Sequence, residues 1–219
     1  MNLTRQTFVF PAALLVIFSV LFSSFEQGLV LAASSGQVTA RQQVTAEISL
    51  TVASNALNLS PAIPGLTGGT GEASDVVTII TNNNTGYTVT LQASSTAGVN
   101  GAMVGESQGG YFNDYGSASP QTWVNTNSGG VSQFGFGVTN GTLSSTNSAT
   151  GYGSCSGVED CWAKAPTTTP ITIVNVNSET LAAGDTFTLK FRAHIPANSN
   201  PLVPEDYYTA TTTLTATIN

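Results

Sequence analysis

The chain has 219 residues, of which 41% are hydrophobic and only 8% are charged, and its formal net charge is −7. This acidic balance, with no basic patch, excludes nucleic acid and anionic lipid surfaces from the expected partners. The hydrophobic content is high enough to build a core, which excludes a largely disordered chain.

Residues 1–33 have the features of a secretory signal peptide. Arg5 precedes the apolar run 8–22, and the small residues around Ala32 and Ala33 offer a cleavage site. An anchor retained through an uncleaved leader is the alternative interpretation. The apolar run is about five residues shorter than the roughly 20 that span a bilayer, which favours cleavage. Either interpretation predicts a secreted or cell-surface protein.

The first predicted strand extends from Val38 to Val52, where apolar and polar residues alternate with a period of two. Two interpretations are open. The whole run is the first strand of the domain's own sheet, or its first part, Gln37–Gln43, adds to the sheet edge of a neighbouring subunit. The second interpretation predicts a homo-oligomer assembled by strand addition.

The remaining predicted strands follow in chain order and are separated by turn-forming residues. A loop over 55–71 precedes two strands that flank the polar turn 82–85, and we expect these two to form a β-hairpin. We also expect the last two strands to pair with each other. The predicted strands are 75–81, 86–94, 121–124, 133–139, 170–176, 185–195 and 208–218.

No helical period follows the leader, so the chain is predicted to be all-β. We expect a signal-peptide helix at 1–33 and a single antiparallel β-sandwich of Ig-like or pilin-like type over 34–219. Alternate positions of the strand 185–195, such as Phe187 and Leu189, should face the core. Residues 97–169 are rich in glycine, serine and asparagine and should form a loop-rich insertion.

The chain has two cysteines, Cys155 and Cys161, which lie close together in this insertion. An even pair in an exported protein favours a disulfide. Its expected role is to fix a local loop beside Trp162.

Four aromatic residues of the insertion, Tyr111, Tyr115, Trp123 and Trp162, are the candidate binding residues. Tyrosine and tryptophan can stack on a sugar ring or anchor a protein partner. The alternative is that these rings cap the ends of the sandwich and cover its core.

The residues needed for catalysis are few and dispersed in the sequence. His194 is the only histidine, it has no Gly-x-Ser-x-Gly motif to act with, and we interpret it as an exposed strand residue. We therefore predict no enzymatic activity, no cofactor and no metal site. Calcium is the alternative, because carboxylates in loops can bind it; the candidate ligands are Asp114, Glu159, Asp160, Glu205 and Asp206.

Three segments carry a family resemblance: the alternating strand ending near Val52, the segment TIITNNNTGYTVTLQAS, and the final segment IPANSNPLVPEDYYTATTTLTATIN. Together they resemble secreted bacterial surface modules of the spore-coat-U and fimbrial-subunit type and, more distantly, WxL-type wall-binding domains. Two features differ from these families. No Trp-x-Leu pair is present, and both cysteines lie in the insertion rather than in the early strands.

The resemblance and the residue patterns lead to one functional expectation. The protein should be an exported, non-enzymatic structural or adhesive component of the cell surface, with a protein or glycan partner. The alternative is a carbohydrate-binding module that uses the aromatic residues of 97–169.

Overall fold

The computed structural model describes residues 37–94, 101–116, 119–124, 130–140 and 161–219. The chain divides into two units, Met1–Gln43 and Val44–Asn219. In the first unit, the described residues 37–43 form no strand and are exposed. The described part of the second unit is all-β and contains no helix, as the sequence predicted. None of the described residues forms a helix with the length and apolar character that crossing a membrane requires.

The described strands are short except for β2 and β10. Their bounds are β1 (Ile48–Val52), β2 (Gly69–Thr81), β3 (Tyr87–Ala93), β4 (Met103–Gly105), β5 (Tyr111–Asp114), β6 (Gln121–Thr122), β7 (Gln133–Asn140), β8 (Cys161–Lys164), β9 (Ile171–Val176), β10 (Asp185–Ile195), β11 (Tyr208–Thr209) and β12 (Thr212–Ile218).

These strands form two sheets. The larger sheet has the order β1-β2-β10-β7-β5-β4-β11, and β8 also pairs with β7 and carries β6 on its other side. The smaller sheet has the order β12-β3-β9. Every ladder between these strands is antiparallel except that of β5 and β7, which is parallel. A purely antiparallel arrangement was therefore the wrong prediction at that position.

One hydrophobic core lies between the sheets and contains residues of both. Strand β10 has the predicted bounds and buries Phe187, Leu189 and Phe191 as expected. From the smaller sheet, Val89 and Leu91 of β3 enter the same core and are fully buried. Tyr87 lies in the same core and donates a hydrogen bond of 2.9 Å to Asp185, which connects β3 to β10.

The hairpin predicted around residues 82–85 does not form. β2 pairs with β1 and β10, whereas β3 pairs with β12 and β9, so the turn connects the two sheets. Turn side chains bind the chain end, since Asn83 and Thr85 both donate to the backbone oxygen of Asn219. The turn therefore places β3 beside the C-terminal strand instead of beside β2.

The predicted final strand divides into two, and it does not pair with β10. β11 pairs with β4 in the larger sheet, and β12 pairs with β3 in the smaller one. Both edges of β10 are already occupied by β2 and β7, so the last strand has no place beside it.

The first strand is shorter than predicted, because only Ile48–Val52 is regular. Its partner β2 ends at Thr81, which pairs with Ile48. The side chain of Asn82 then takes over the pairing: it donates to the Thr45 carbonyl and accepts the amide hydrogen of Glu47. Beyond this point, the alternating residues have no strand to pair with among the described residues.

The described residues of the segment 97–169 supply strands of the larger sheet and side chains of the core, so this segment is more than a loop-rich insertion. Two of its predicted strands are present as β6 and β7, while β4, β5 and β8 were missed. β7 contributes Phe134, Phe136 and Val138 to the core. The signal-peptide helix at 1–33 and Cys155 lie outside the described residues. Cys161 is buried and is not a free cysteine, and its pairing with Cys155 stays a prediction.

Candidate functional site

Three of the four predicted binding aromatics come together on the outer face of the larger sheet. The rings of Tyr115 and Trp123 stack with centroids 4.2 Å apart, and Trp123 meets Trp162 edge-to-face at 5.8 Å. Tyr115 and Trp162 are buried, and Trp123 is half-buried. We call these three residues the aromatic cluster.

Two glycines of β7 allow close packing on the face of the strand that carries this cluster. Gly135 lies beneath it, and a Cβ there would lie 3.0 Å from Trp123, Tyr115 and the Ala163 carbonyl oxygen. A Cβ at Gly137 would overlap the carbonyl oxygen of Cys161. The alternation in QFGFGVT therefore serves both faces of the strand, because its phenylalanines fill the core and its glycines face the other way. Gly135 allows the rings to approach, and Gly137 allows the backbone of β8 to approach.

Basic side chains from the outer face of β10 cover the cluster. The guanidinium carbon of Arg192 lies 4.1 Å from the Trp162 ring centroid, and Lys190 Nζ lies 5.1 Å from it. Arg192 also contacts the Glu72 carboxylate at 2.6 Å. Aromatic faces attract such cations, so this arrangement stabilises the outer face of the sheet.

The aromatic cluster thus has a structural role in addition to any binding. The faces of Tyr115 and Trp162 are occupied by other side chains and are not open to a sugar ring. The alternative expected these rings to cap the ends of the sandwich and cover its core. Tyr115 and Trp162 are buried, but they lie on the outer face of the larger sheet and outside the core cluster. The contribution of Arg192 was missed because its outward position on β10 predicts a side chain that points into solvent.

Tyr111 lies apart from the cluster, on a separate groove of about 250 Å³. The residue is 38% exposed. The walls of the groove are the turn between β4 and β5 and the loop before β11, and its polar lining includes Gln108, Asn113 and Ser132. None of the described residues that line the groove is charged.

A carboxylate outside the groove holds its walls in place. Asp206 accepts hydrogen bonds from the amide groups of Ser107 and Gln108 at 2.8 and 2.7 Å. These bonds hold the pKa of Asp206 below its usual value, so the carboxylate is ionised at neutral pH. On the opposite wall, Tyr208 donates to the carbonyl of Pro204. The groove is therefore formed before any ligand binds.

The prediction that His194 is exposed is wrong. Its side chain is buried, and Nδ1 lies 2.9 Å from Thr70 Oγ1. Nε2 has no hydrogen-bond partner among the described residues. Burial lowers the pKa of His194, Arg192 lowers it further, and a hydrogen bond with the Gly69 backbone opposes them.

The candidate calcium ligands that the structure describes, Asp114, Glu205 and Asp206, do not form a cluster of potential metal ligands. Asp114 accepts a hydrogen bond from the Ala102 amide and lies 3.8 Å from Lys164. Burial raises the pKa of Asp114 despite both contacts. Asp206 is engaged as described, and Glu159 and Asp160 lie outside the described residues. The described part of the chain contains no group of three or more potential metal-ligating side chains.

Two features are suited to strand addition. The first is the exposed segment 37–43. Its Val38 is 97% exposed, although it belongs to the apolar set of alternate residues in this run. At the edge of the smaller sheet, β12 pairs only with β3 among the described strands. β12 contains neither proline nor a charged residue, the features that usually protect an edge from further pairing.

The hydrogen bonds at both ends of β12 show which backbone groups face β3 and which face away from it. Asn219 donates to Gly86, and Ser94 donates to Thr211. Because bonded pairs alternate along an antiparallel ladder, the amide of Thr215 faces β3 and that of Ala216 faces outward.

The chain was compared with known families and proteins. No family model and no curated protein sequence matches it.

Proposed function

We propose that the protein is an exported, non-enzymatic cell-surface component with a pilin-like β-sandwich, and that it assembles by strand addition. In this proposal, Gln37–Gln43 of one copy pairs with the outer edge of β12 in the next copy. The resemblance to spore-coat-U and fimbrial-subunit modules is part of the proposal and agrees with this mode of assembly.

The observation that carries the proposal is the exposed segment before β1. It continues the alternating pattern of a strand, yet no strand of the described chain pairs with it. Val38 belongs to the apolar set of alternate residues and is 97% exposed, so we expect it to become buried when the segment pairs with another strand.

The dimensions of the two elements support the same partner. The segment of seven residues would be about 23 Å long as a strand, at roughly 3.3 Å per residue. β12 also has seven residues. Donor and acceptor lie on different parts of the chain, so a copy that receives a segment can pass its own segment to a third copy. When the copies join head to tail in this way, the contact is heterologous and produces open chains or rings.

Deletion of Gln37–Gln43 tests the proposal. The intact protein should form oligomers whose mass increases with concentration, and the deletion should leave a folded monomer. A Gly/Ser segment of equal length serves as the control for spacing. Intact protein that stays monomeric at high concentration, or oligomers that survive the deletion, would contradict the proposal.

A further inference from the structure

The groove beside Tyr111 is separate from the segment Gln37–Gln43 and from β12, the two elements of the proposed assembly, and its lining has a different chemistry. Its lining combines the exposed Tyr111 with the side-chain amides of Gln108 and Asn113. Ser132 is buried behind them, where its hydroxyl donates to the Tyr111 carbonyl and its own carbonyl accepts a bond of 3.4 Å from Asn113 Nδ2. An aromatic ring offers an apolar platform, while side-chain amides donate and accept hydrogen bonds. This combination matches a ligand with an apolar face and hydroxyl groups at its rim.

Charge narrows the class of ligand. The described lining residues are all neutral, so no cation is present to pair with an acidic sugar or a phosphate. The ionised Asp206 lies behind one wall, and the chain has a net charge of −7. Both features repel anions, which leaves a neutral ligand.

The size of the groove restricts the ligand further. A volume of about 250 Å³ lies below the roughly 300–1,000 Å³ of pockets for drug-sized molecules. One or two pyranose rings are of suitable size, and the open side lets a longer glycan continue into solvent.

The groove is also held in shape from several directions. Gly105 donates to the Gly110 carbonyl at 2.7 Å to close the turn on one wall. In the loop that forms the other wall, the backbone amide of Asn198 donates to the Leu66 carbonyl, and that of Asn200 donates to the Gly130 carbonyl. A rigid groove loses little conformational entropy on binding, which favours recognition of a small ligand.

We infer that this groove is a binding site for a neutral saccharide, with Tyr111 stacking on a sugar ring and Gln108 and Asn113 bonding to its hydroxyls. This site goes beyond the proposed assembly and does not depend on it. The ligand class is a neutral hexose or N-acetylhexosamine unit within an oligosaccharide.

The test is an array of neutral oligosaccharides of hexoses and N-acetylhexosamines, with sialylated and uronic-acid glycans beside them, followed by titration of the best neutral glycan. Tyr111→Ala should weaken binding by roughly tenfold or more, because it removes the stacking platform. Tyr207→Ala is the matched control, since Tyr207 is 82% exposed and does not line the groove, and its affinity should be unchanged. Thermal unfolding checks that both variants keep the fold.

Three outcomes would overturn the inference. The first is no retention of any neutral glycan by the unaltered protein. The second is binding that survives Tyr111→Ala or falls equally with Tyr207→Ala. The third is a groove that takes proline-rich peptides but no glycan. The result is separate from assembly, because a protein without Gln37–Gln43 should still bind the glycan.

Discussion

Arg192 lies with its guanidinium carbon 4.1 Å from the ring centroid of Trp162, a residue with no exposed surface. The same guanidinium contacts the Glu72 carboxylate at 2.6 Å. An arginine on the outward side of a core strand is therefore held between a ring and a carboxylate. The outer face of the larger sheet is covered in this region by an aromatic and cationic layer instead of solvent.

This arrangement predicts a measurable loss of stability for Arg192→Ala. The variant should lower the free energy of unfolding by about 2 kcal/mol, because it removes a stacked cation and a charged hydrogen bond. Arg192→Lys should cost less, about 1 kcal/mol, since lysine keeps the charge but not the planar contact. Urea denaturation measures both, and a change below about 0.5 kcal/mol for Arg192→Ala would show that the contact is not stabilising.

The glycine beneath the cluster gives a second prediction. Gly135→Ala should destabilise the protein by about 1–3 kcal/mol, because the added Cβ meets Trp123, Tyr115 and a carbonyl oxygen. Gly116→Ala is the matched control, since nothing lies within 4 Å of a Cβ there, and its effect should stay within about 0.5 kcal/mol. Equal unfolding midpoints for the two variants would contradict the close packing at Gly135.

His194 predicts a dependence of stability on pH. Its pKa in the folded protein is lower than the ordinary 6.5, so folding favours the neutral ring. The stability that depends on the neutral ring is fully present above pH 6.5 and is lost as the pH falls through the folded-state pKa. Unfolding free energies measured from pH 7.5 to 4.5 should decrease in this window, and the decrease should be smaller in His194→Gln, which does not titrate there. Identical profiles would remove His194 as the cause.

The outer edge of β12 gives a prediction about the acceptor in assembly. Ala216→Pro removes an amide that faces away from β3, so it should block strand addition and leave a folded monomer. Thr215→Pro instead removes a bond to β3 and should destabilise the fold itself. Light scattering and thermal unfolding separate the two effects. Oligomers that persist in a folded Ala216→Pro variant, while deletion of Gln37–Gln43 abolishes them, would place the acceptor on another edge.

The local structure of several strands could be predicted from the sequence, because alternation is a local property. β10 has its predicted bounds, β3 is one residue shorter than predicted at each end, and β9 begins one residue later than predicted. The pairing of strands could not be predicted, since it depends on contacts distant in the chain. The 82–85 turn illustrates this, because Asn83 binds Asn219 and thereby directs β3 into the other sheet.

The candidate sites show the same limit. The aromatic residues could be identified from the sequence. The sequence does not show that Gly135 lies beneath their cluster or that Arg192 covers the Trp162 ring. The Tyr111 groove brings Gln108 beside Pro204, almost a hundred positions later. Glycines before Tyr111 and the prolines of PLVP mark both walls as turns or loops. Nothing in those patterns indicates that the two meet.

Sedimentation velocity of two matched double variants tests strand addition most directly. Val38→Asp with Ala40→Asp places charges on the apolar parity of the donor segment, and Thr39→Asp with Gln43→Asp places them on the polar parity. The first variant should remain monomeric at all concentrations, while the second should form oligomers like the unaltered protein. Monomers in all three proteins, or equal assembly of both variants, would contradict the proposed pairing of Gln37–Gln43 with a sheet edge.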